Sequence, residues 1–299
     1  MTARDDVTFA AYKLASAVAN LTPGPLASMA ASGLGYTMAQ AMPNRRALVE
    51  RHQRRAMGAG RSTLDVRRSA NAAFECYARY WVESFRLPQL TASEIQAGIR
   101  VTGREHLDAG LAAGKGVILS LPHLGGWEWA GRWVADQGMK ITVVVEPVQP
   151  PELFEWFRSL RTELGMTVVP LGPEVGPAVL KALKNNEVLA LLSDRDLDGH
   201  GIEVEFFGER TTLPAGPATL SLRTGAPILP VAVYFTDNRH AHHGDIQPPL
   251  DATRHGKLRD DVGRVTQDMA RALEALIRKA PDQWHLFQPN WPSDPGYGI

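Results

Sequence analysis

The sequence predicts an α/β domain, a mostly parallel central sheet flanked by helices, with an N-terminal helical unit in front of it. Short apolar runs recur from about residue 100, among them Val117–Leu121, Ile141–Val145, Val188–Leu192 and Ile228–Phe235. Amphipathic stretches of helical length lie between them, and strands alternating with helices make a parallel sheet covered on both faces. The residues before about 95 contain no comparable run and read as helical throughout.

Taken in order, helices are expected over 7–21, 26–42, 44–58 and 63–85. No charged residue stands between Lys13 and Arg45. Pro23-Gly24-Pro25 interrupts that stretch, however, and Ala, Ser, Gly and Thr dominate both halves. Neither half supplies the roughly 20 strongly apolar residues of a membrane span. Residues 1–100 hold 13 Lys/Arg against 7 Asp/Glu, and Arg45, Arg46, Arg51, Arg54, Arg55, Arg61, Arg67 and Arg68 make a local cationic stretch. Apolar helix faces beside arginines suit a unit lying on an anionic membrane surface; packing on the main domain is the plainer alternative. The chain is therefore divided into a basic, membrane-associating helical region, 1–95, and an α/β domain, 96–299. Further helices are expected near 126–137, 151–164, 174–185, 214–224 and 259–280. A Pro/Gly-rich tail from Pro289 reads as a surface strap, with Trp284 and Trp291 as packing residues.

Composition narrows the function classes. Thirty-two basic residues balance thirty-two acidic ones, so no global charge points to nucleic acid. The single cysteine, Cys76, excludes an internal disulfide and suits a reducing cytosol. Met-Thr-Ala-Arg-Asp-Asp does not begin a secretory signal, so export is not expected. The cluster His240-Ala-His242-His243-Gly244-Asp245 falls where a loop is expected and matches no zinc spacing, so no metal is assigned. Gly-x-Ser-x-Gly, Gly-x-Gly-x-x-Gly and P-loop motifs are all missing from the sequence, against serine hydrolase and nucleotide-fold readings.

The chemistry is carried by Pro122-His123-Leu124-Gly125-Gly126-Trp127-Glu128, directly after the first strong strand. Reactive groups in α/β proteins sit outside the carboxyl ends of strands. Five residues along one continuous helix correspond to about 140°, which would part His123 from Glu128. A helix starting near Gly126 instead lets Glu128 reach back to an imidazole on the turn. A carboxylate on one ring nitrogen fixes the tautomer while the other nitrogen takes a proton. The glycine N–H groups could hold a phosphate or a developing oxyanion. A turn histidine and a first-turn glutamate complementing the helix dipole are the plain alternative. Ser193-Asp194-Arg195-Asp196-Leu197, after another strand, brings further carboxylates to the same edge. Phe206-Phe207-Gly208-Glu209-Arg210, the Leu213–Leu220 run and Arg223–Val231 follow in a specific order.

With these blocks the sequence resembles the bacterial lipid A biosynthesis acyltransferases, and among them the actinobacterial phosphatidylinositol mannoside acyltransferases, within the wider glycerolipid acyltransferase group. Ala78–Pro88 and Gln283–Trp291 extend the likeness over nearly the whole chain. The resemblance implies O-acyl transfer from acyl-CoA or an acyl carrier to a glycolipid or phospholipid hydroxyl, with a phosphatidylinositol mannoside as the favoured acceptor. His123 would be the general base with Glu128 in support, and Asp194, with Asp196 as the alternative, a second acid on the histidine. Arg161 and Arg223, and less directly Arg195 and His200, would meet the donor's phosphates. It also implies no cofactor beyond acyl-CoA as co-substrate, no nucleic acid, a monomer, and a peripheral site on the cytoplasmic face of the cell membrane. Lipid A-type or lysophospholipid transfer, thioester hydrolysis and a catalytically silent lipid-binding module of the same fold stay open as alternatives.

Overall fold

The computed structural model describes residues 3–22, 24–197, 199–236 and 241–298. Five helices come first: α1 (Ala3–Leu21), α2 (Gly24–Ala41), α3 (Pro43–Met57), α4 (Thr63–Arg86) and α5 (Ala92–Ala97). The α/β part runs β1 (Ile99–Thr102), α6 (Arg104–Ala112), β2 (Val117–Leu121), α7 (Trp127–Asp136), β3 (Ile141–Val145), α8 (Pro151–Glu163), β4 (Met166–Pro170), α9 (Val175–Lys184) and β5 (Val188–Leu192). A hairpin of β6 (Ile202–Phe206) and β7 (Glu209–Leu213) follows, then α10 (Gly216–Thr224), β8 (Ile228–Phe235), β9 (His242–Ile246) and α11 (Leu258–Lys279). All four strands expected from apolar runs are present over the expected residues.

The main sheet has the order β1-β9-β8-β2-β5-β3-β4. Its five strands from β8 to β4 are parallel, and β9 turns antiparallel to β8, with β1 parallel to β9. The sheet is thus mostly parallel, as expected. Strands buried on both faces read as continuous apolar runs, and every residue of β2 and of β8 is buried. Alternate residues of β2 point to opposite layers. Leu119 and Leu121 pack with Trp129, Trp133 and Val134 of α7, while Ile118 meets α9, α10 and α11 through Leu183, Leu222 and Val265.

The N-terminal helices join this body through α4, which starts at a Ser62 cap accepting from Asp65 N–H. Phe74 meets Phe287 edge-on at 4.7 Å, and His242 bonds Glu83 at 2.8 Å. Among the described residues no helix is long and apolar enough to cross a membrane. Large apolar side chains nevertheless stand exposed on α1 and α2: Leu14 is 66% exposed and Leu21 86%, with Val18 between them on the same helix face.

The arginine-rich stretch is not one free cationic face. Arg45 donates to the Phe287 carbonyl, Arg51 to the Ser293 carbonyl, and Arg55 to Glu209 and Asp294. The tail they hold lies on the surface but is anchored: Asn290, Trp291 and Asp294 are buried, whereas Pro292, Ser293 and residues 295–298 are exposed. His52 completes the fastening, its two ring nitrogens facing the Leu286 carbonyl and Asp294, each at 3.0 Å. Burial would raise the Asp294 pKa, but the hydrogen bonds from His52, Asn290 N–H and Arg55 and the His52 charge hold it well below the carboxylate range.

Candidate active site

Strand register makes the site. β2 and β5 are neighbours, with Leu121 opposite Leu192, so the residues two beyond each end, His123 and Asp194, meet. Nδ1 of His123 lies 2.6 Å from Oδ1 of Asp194, and the His123 amide donates to Oδ2 at 2.9 Å. With Nδ1 facing a carboxylate, the network assigns the proton to Nδ1 and leaves Nε2 as the lone-pair nitrogen. The imidazole is partly exposed, 24%, whereas Asp194 is fully buried. Burial raises the Asp194 pKa, yet the His123 charge and the hydrogen bonds from His123 and Trp284 outweigh it and leave it below the ordinary value.

The C-terminal segment supplies the support. Trp284 Nε1 donates to Asp194 Oδ2 at 2.8 Å, and Asn290 donates to the Asp194 carbonyl at 3.1 Å. The next residue, His285, gives its amide to the His123 carbonyl at 2.6 Å. Its ring is buried among Tyr77, Tyr80 and Trp127, and both ring nitrogens lack a hydrogen-bond partner. Burial and the nearby His123 charge lower its pKa to about 3. None of these three carries a local sequence signal for such a role, because their partners lie about 90 or more residues away.

Glu128 differs from expectation. The helix does begin where required, with Gly126 as N-cap and Trp127 first in α7. From its second position, however, the carboxylate points to α8 and α4. Arg161 grips both oxygens, and Tyr80 Oη donates to Oε1 at 3.1 Å. No hydrogen bond joins Glu128 to His123 among the described residues; the carboxylate on the imidazole is Asp194. Nor is the second candidate there: Asp196 accepts from Gly201 N–H and Thr212 Oγ1 and closes the loop before β6.

The glycines also serve differently. Gly125 N–H donates to Gln283 and Gly126 N–H to Val233, so neither is open to an anion. Gly125 has φ +62°, and a Cβ there would sit 1.9 Å from the Val233 carbonyl oxygen, so close approach of turn and strand requires glycine.

His123 lines a cavity of about 630 Å³ bounded by α4, α8, α9, α10 and the strand ends. All four predicted donor-binding residues, Arg161, Arg195, His200 and Arg223, line it too. Arg161 is neutralised by Glu128, which outweighs the effect of burial and raises its pKa. Arg195 pairs with Glu146 at 2.6 Å, and its Nε is buried without a partner. Arg223 and His200 are exposed. A smaller cavity of about 100 Å³ lies between the sheet and α7, walled by apolar residues such as Leu119, Leu121 and Trp133, with Trp127 and Arg161 in the linings of both and Glu128 in that of the smaller one.

The described histidines of the cluster, His242 and His243, fall on β9 rather than in a loop. His242 stacks on Trp129 at 4.4 Å and bonds Glu83, and His243 bonds Thr102 at 3.0 Å. These are packing and inter-strand contacts. His240 lies outside the described residues.

Residues 6–293 match the family described as bacterial lipid A biosynthesis acyltransferase. A phosphatidylinositol mannoside acyltransferase of Mycobacterium tuberculosis (strain CDC 1551 / Oshkosh) is 40% identical over 228 residues, 75% of this chain and 70% of that one. One from Mycolicibacterium smegmatis is 37% identical over 226 residues, 75% of this chain and 72% of its own. A lipid A biosynthesis acyltransferase of Haemophilus influenzae is 26% identical over 187 residues, 61% and 55% of the two chains.

Proposed function

Because the chain belongs to the bacterial lipid A biosynthesis acyltransferase family and is an acyltransferase, we propose that it moves a long-chain acyl group from acyl-CoA to a hydroxyl of a phosphatidylinositol mannoside, with His123 as general base. The observation that carries this reading is the 2.6 Å contact of His123 Nδ1 with a buried carboxylate, on an imidazole that lines a large cavity.

The steps follow from that geometry. His123 Nε2 removes the proton of the acceptor hydroxyl, and Asp194 stabilises the imidazolium formed. The alkoxide oxygen bonds to the thioester carbon, and the carbon–sulfur bond then breaks. The departing thiolate takes the proton back from Nε2. Arg223 and His200, both exposed, meet the donor's phosphates at the cavity rim, with Arg195, paired to Glu146, beside them. Arg161, already matched by Glu128, shapes the wall instead. The apolar cavity beneath takes part of the acyl chain.

The exposed Leu14, Val18 and Leu21 face supports docking of α1 on the cytoplasmic membrane surface, as do the small and apolar residues of α2. The test is transfer of radiolabelled palmitate from palmitoyl-CoA to purified phosphatidylinositol mannosides. His123→Ala is expected to abolish it with folding unchanged. Undiminished transfer refutes the base assignment, and label released as free acid regardless of acceptor identifies a hydrolase.

A further inference from the structure

We propose that His285 is the oxyanion donor of the reaction: its neutral imidazole N–H binds the thioester carbonyl oxygen and holds the negative charge that develops there. The proposal rests on the reading of His123 as base. As the alkoxide adds, the carbonyl's π electrons move onto its oxygen, and they return when the carbon–sulfur bond breaks. A preorganised donor aimed at that oxygen is commonly the largest single contribution in acyl transfer.

The turn itself, His123 to Gly126, has no amide free for this role. The amides of His123, Leu124, Gly125 and Gly126 are committed to Asp194, Pro122, Gln283 and Val233. His285 has what they lack. It lines the same cavity as His123 and is tied to it through the His123 carbonyl. Only 5% of the residue is exposed, and neither ring nitrogen has a partner. A neutral imidazole always carries one N–H, and a buried donor left unmatched costs free energy that a ligand oxygen would recover. Tyr77, Tyr80, Trp127 and Phe235 surround the ring and fix its direction. With its pKa lowered to about 3, it keeps one N–H and one lone pair throughout the neutral range and does not compete with His123 for protons.

The test pairs kinetics with a direct view of the carbonyl. His285→Phe is expected to lower kcat by about 100-fold while leaving the KM for palmitoyl-CoA nearly unchanged. His285→Gln, which keeps an N–H, should regain a substantial part. Palmitoyl-CoA labelled with ¹³C at its carbonyl is then bound to His123→Ala protein, where it persists. Its infrared carbonyl stretch should fall relative to free donor, return to the free value with His285→Phe added, and stay low with His285→Gln. A stretch that never moves, or one that still falls with His285→Phe, overturns the proposal, as does wild-type kcat in His285→Phe. Should the phenylalanine variant not fold, the ¹⁵N-bound ring proton of His285 in His123→Ala must shift downfield on donor binding; an unmoved resonance overturns the proposal equally. Turnover by His123→Ala would instead strike at the base assignment, so the two failures are distinct.

Discussion

The indole N–H of Trp284 donates to Oδ2 of Asp194 at 2.8 Å, while Oδ1 of the same carboxylate holds His123. A residue ninety positions downstream thereby favours the charged form of the carboxylate on His123 and fixes its orientation. Trp284→Phe removes the donor together with part of a fully buried ring, so a cavity cost adds to the lost bond. A hydrogen bond to a charged group is worth about 1.5–3 kcal/mol, so urea unfolding should report a loss of at least that order. The Asp194 pKa is depressed in the folded state, so its stabilisation is present above the unfolded value of about 3.9 and vanishes as pH falls through the folded one. Without Trp284 the folded value rises, and the acid-unfolding midpoint should move to higher pH.

Asp194→Asn and Glu128→Gln separate two carboxylates that look alike in sequence. An asparagine opposite Nδ1 favours the wrong tautomer, so kcat should fall on the order of 10³–10⁴-fold. Glu128→Gln leaves Arg161 without its anion, and breaking a buried pair costs about 3 kcal/mol. Thermal unfolding should show that loss, and Glu128→Gln combined with Arg161→Met should recover most of it. Equal stability of the single and double variants would refute the pairing argument.

His285 predicts a stability that depends on pH in the mildly acid range. Its folded pKa of about 3 lies below the unfolded value near 6.5, so the unfolded chain binds the extra proton between the two. Stability is greatest above the unfolded value and falls as pH drops, by up to about 1.4 kcal/mol per unit from this group. His285→Phe should flatten urea-derived stability between pH 6.5 and 5 relative to wild type. Parallel curves for the two proteins would show that the ring is not held neutral.

The contrast between what was legible and what was not has a physical basis. Val117–Leu121 and Ile228–Phe235 are apolar because both faces of their strands are covered, so composition alone marks them. β1, the edge strand, reads Ile-Arg-Val-Thr, and its neighbour β9 reads His-His-Gly-Asp-Ile; there polar side chains find partners, such as His242 with Glu83 and His243 with Thr102, and the apolar signal disappears. The same holds for the site. His123 and Asp194 were readable as residues just past strand ends, but the direction in which Glu128 points depends on α8 and α4, which spacing within α7 does not encode. Trp284 and His285 matter through contacts made across the whole fold.

The exposed face of α1 offers a test of membrane docking independent of catalysis. Leu14→Glu combined with Leu21→Glu removes two leucines of which most of the surface is open, each worth about 1.5–3 kcal/mol when buried. Flotation with vesicles containing anionic phospholipid should drop by at least tenfold, with activity on detergent-dispersed substrate retained. Unchanged flotation would place the docking surface elsewhere.

The fastening of residues 284–294 to α3 and to Asp194 has a consequence for biosynthesis. His123 and Asp194 leave the ribosome long before Trp284, Asn290 and Asp294, so a nascent chain holds the histidine and its carboxylate without the groups that lock them together. The surroundings that the proposed reaction needs are therefore completed last, once Asp294 meets His52 and Arg55 and Trp284 meets Asp194. On the proposed mechanism, a chain stalled before that point has its strands but not the Trp284 and Asn290 bonds to Asp194.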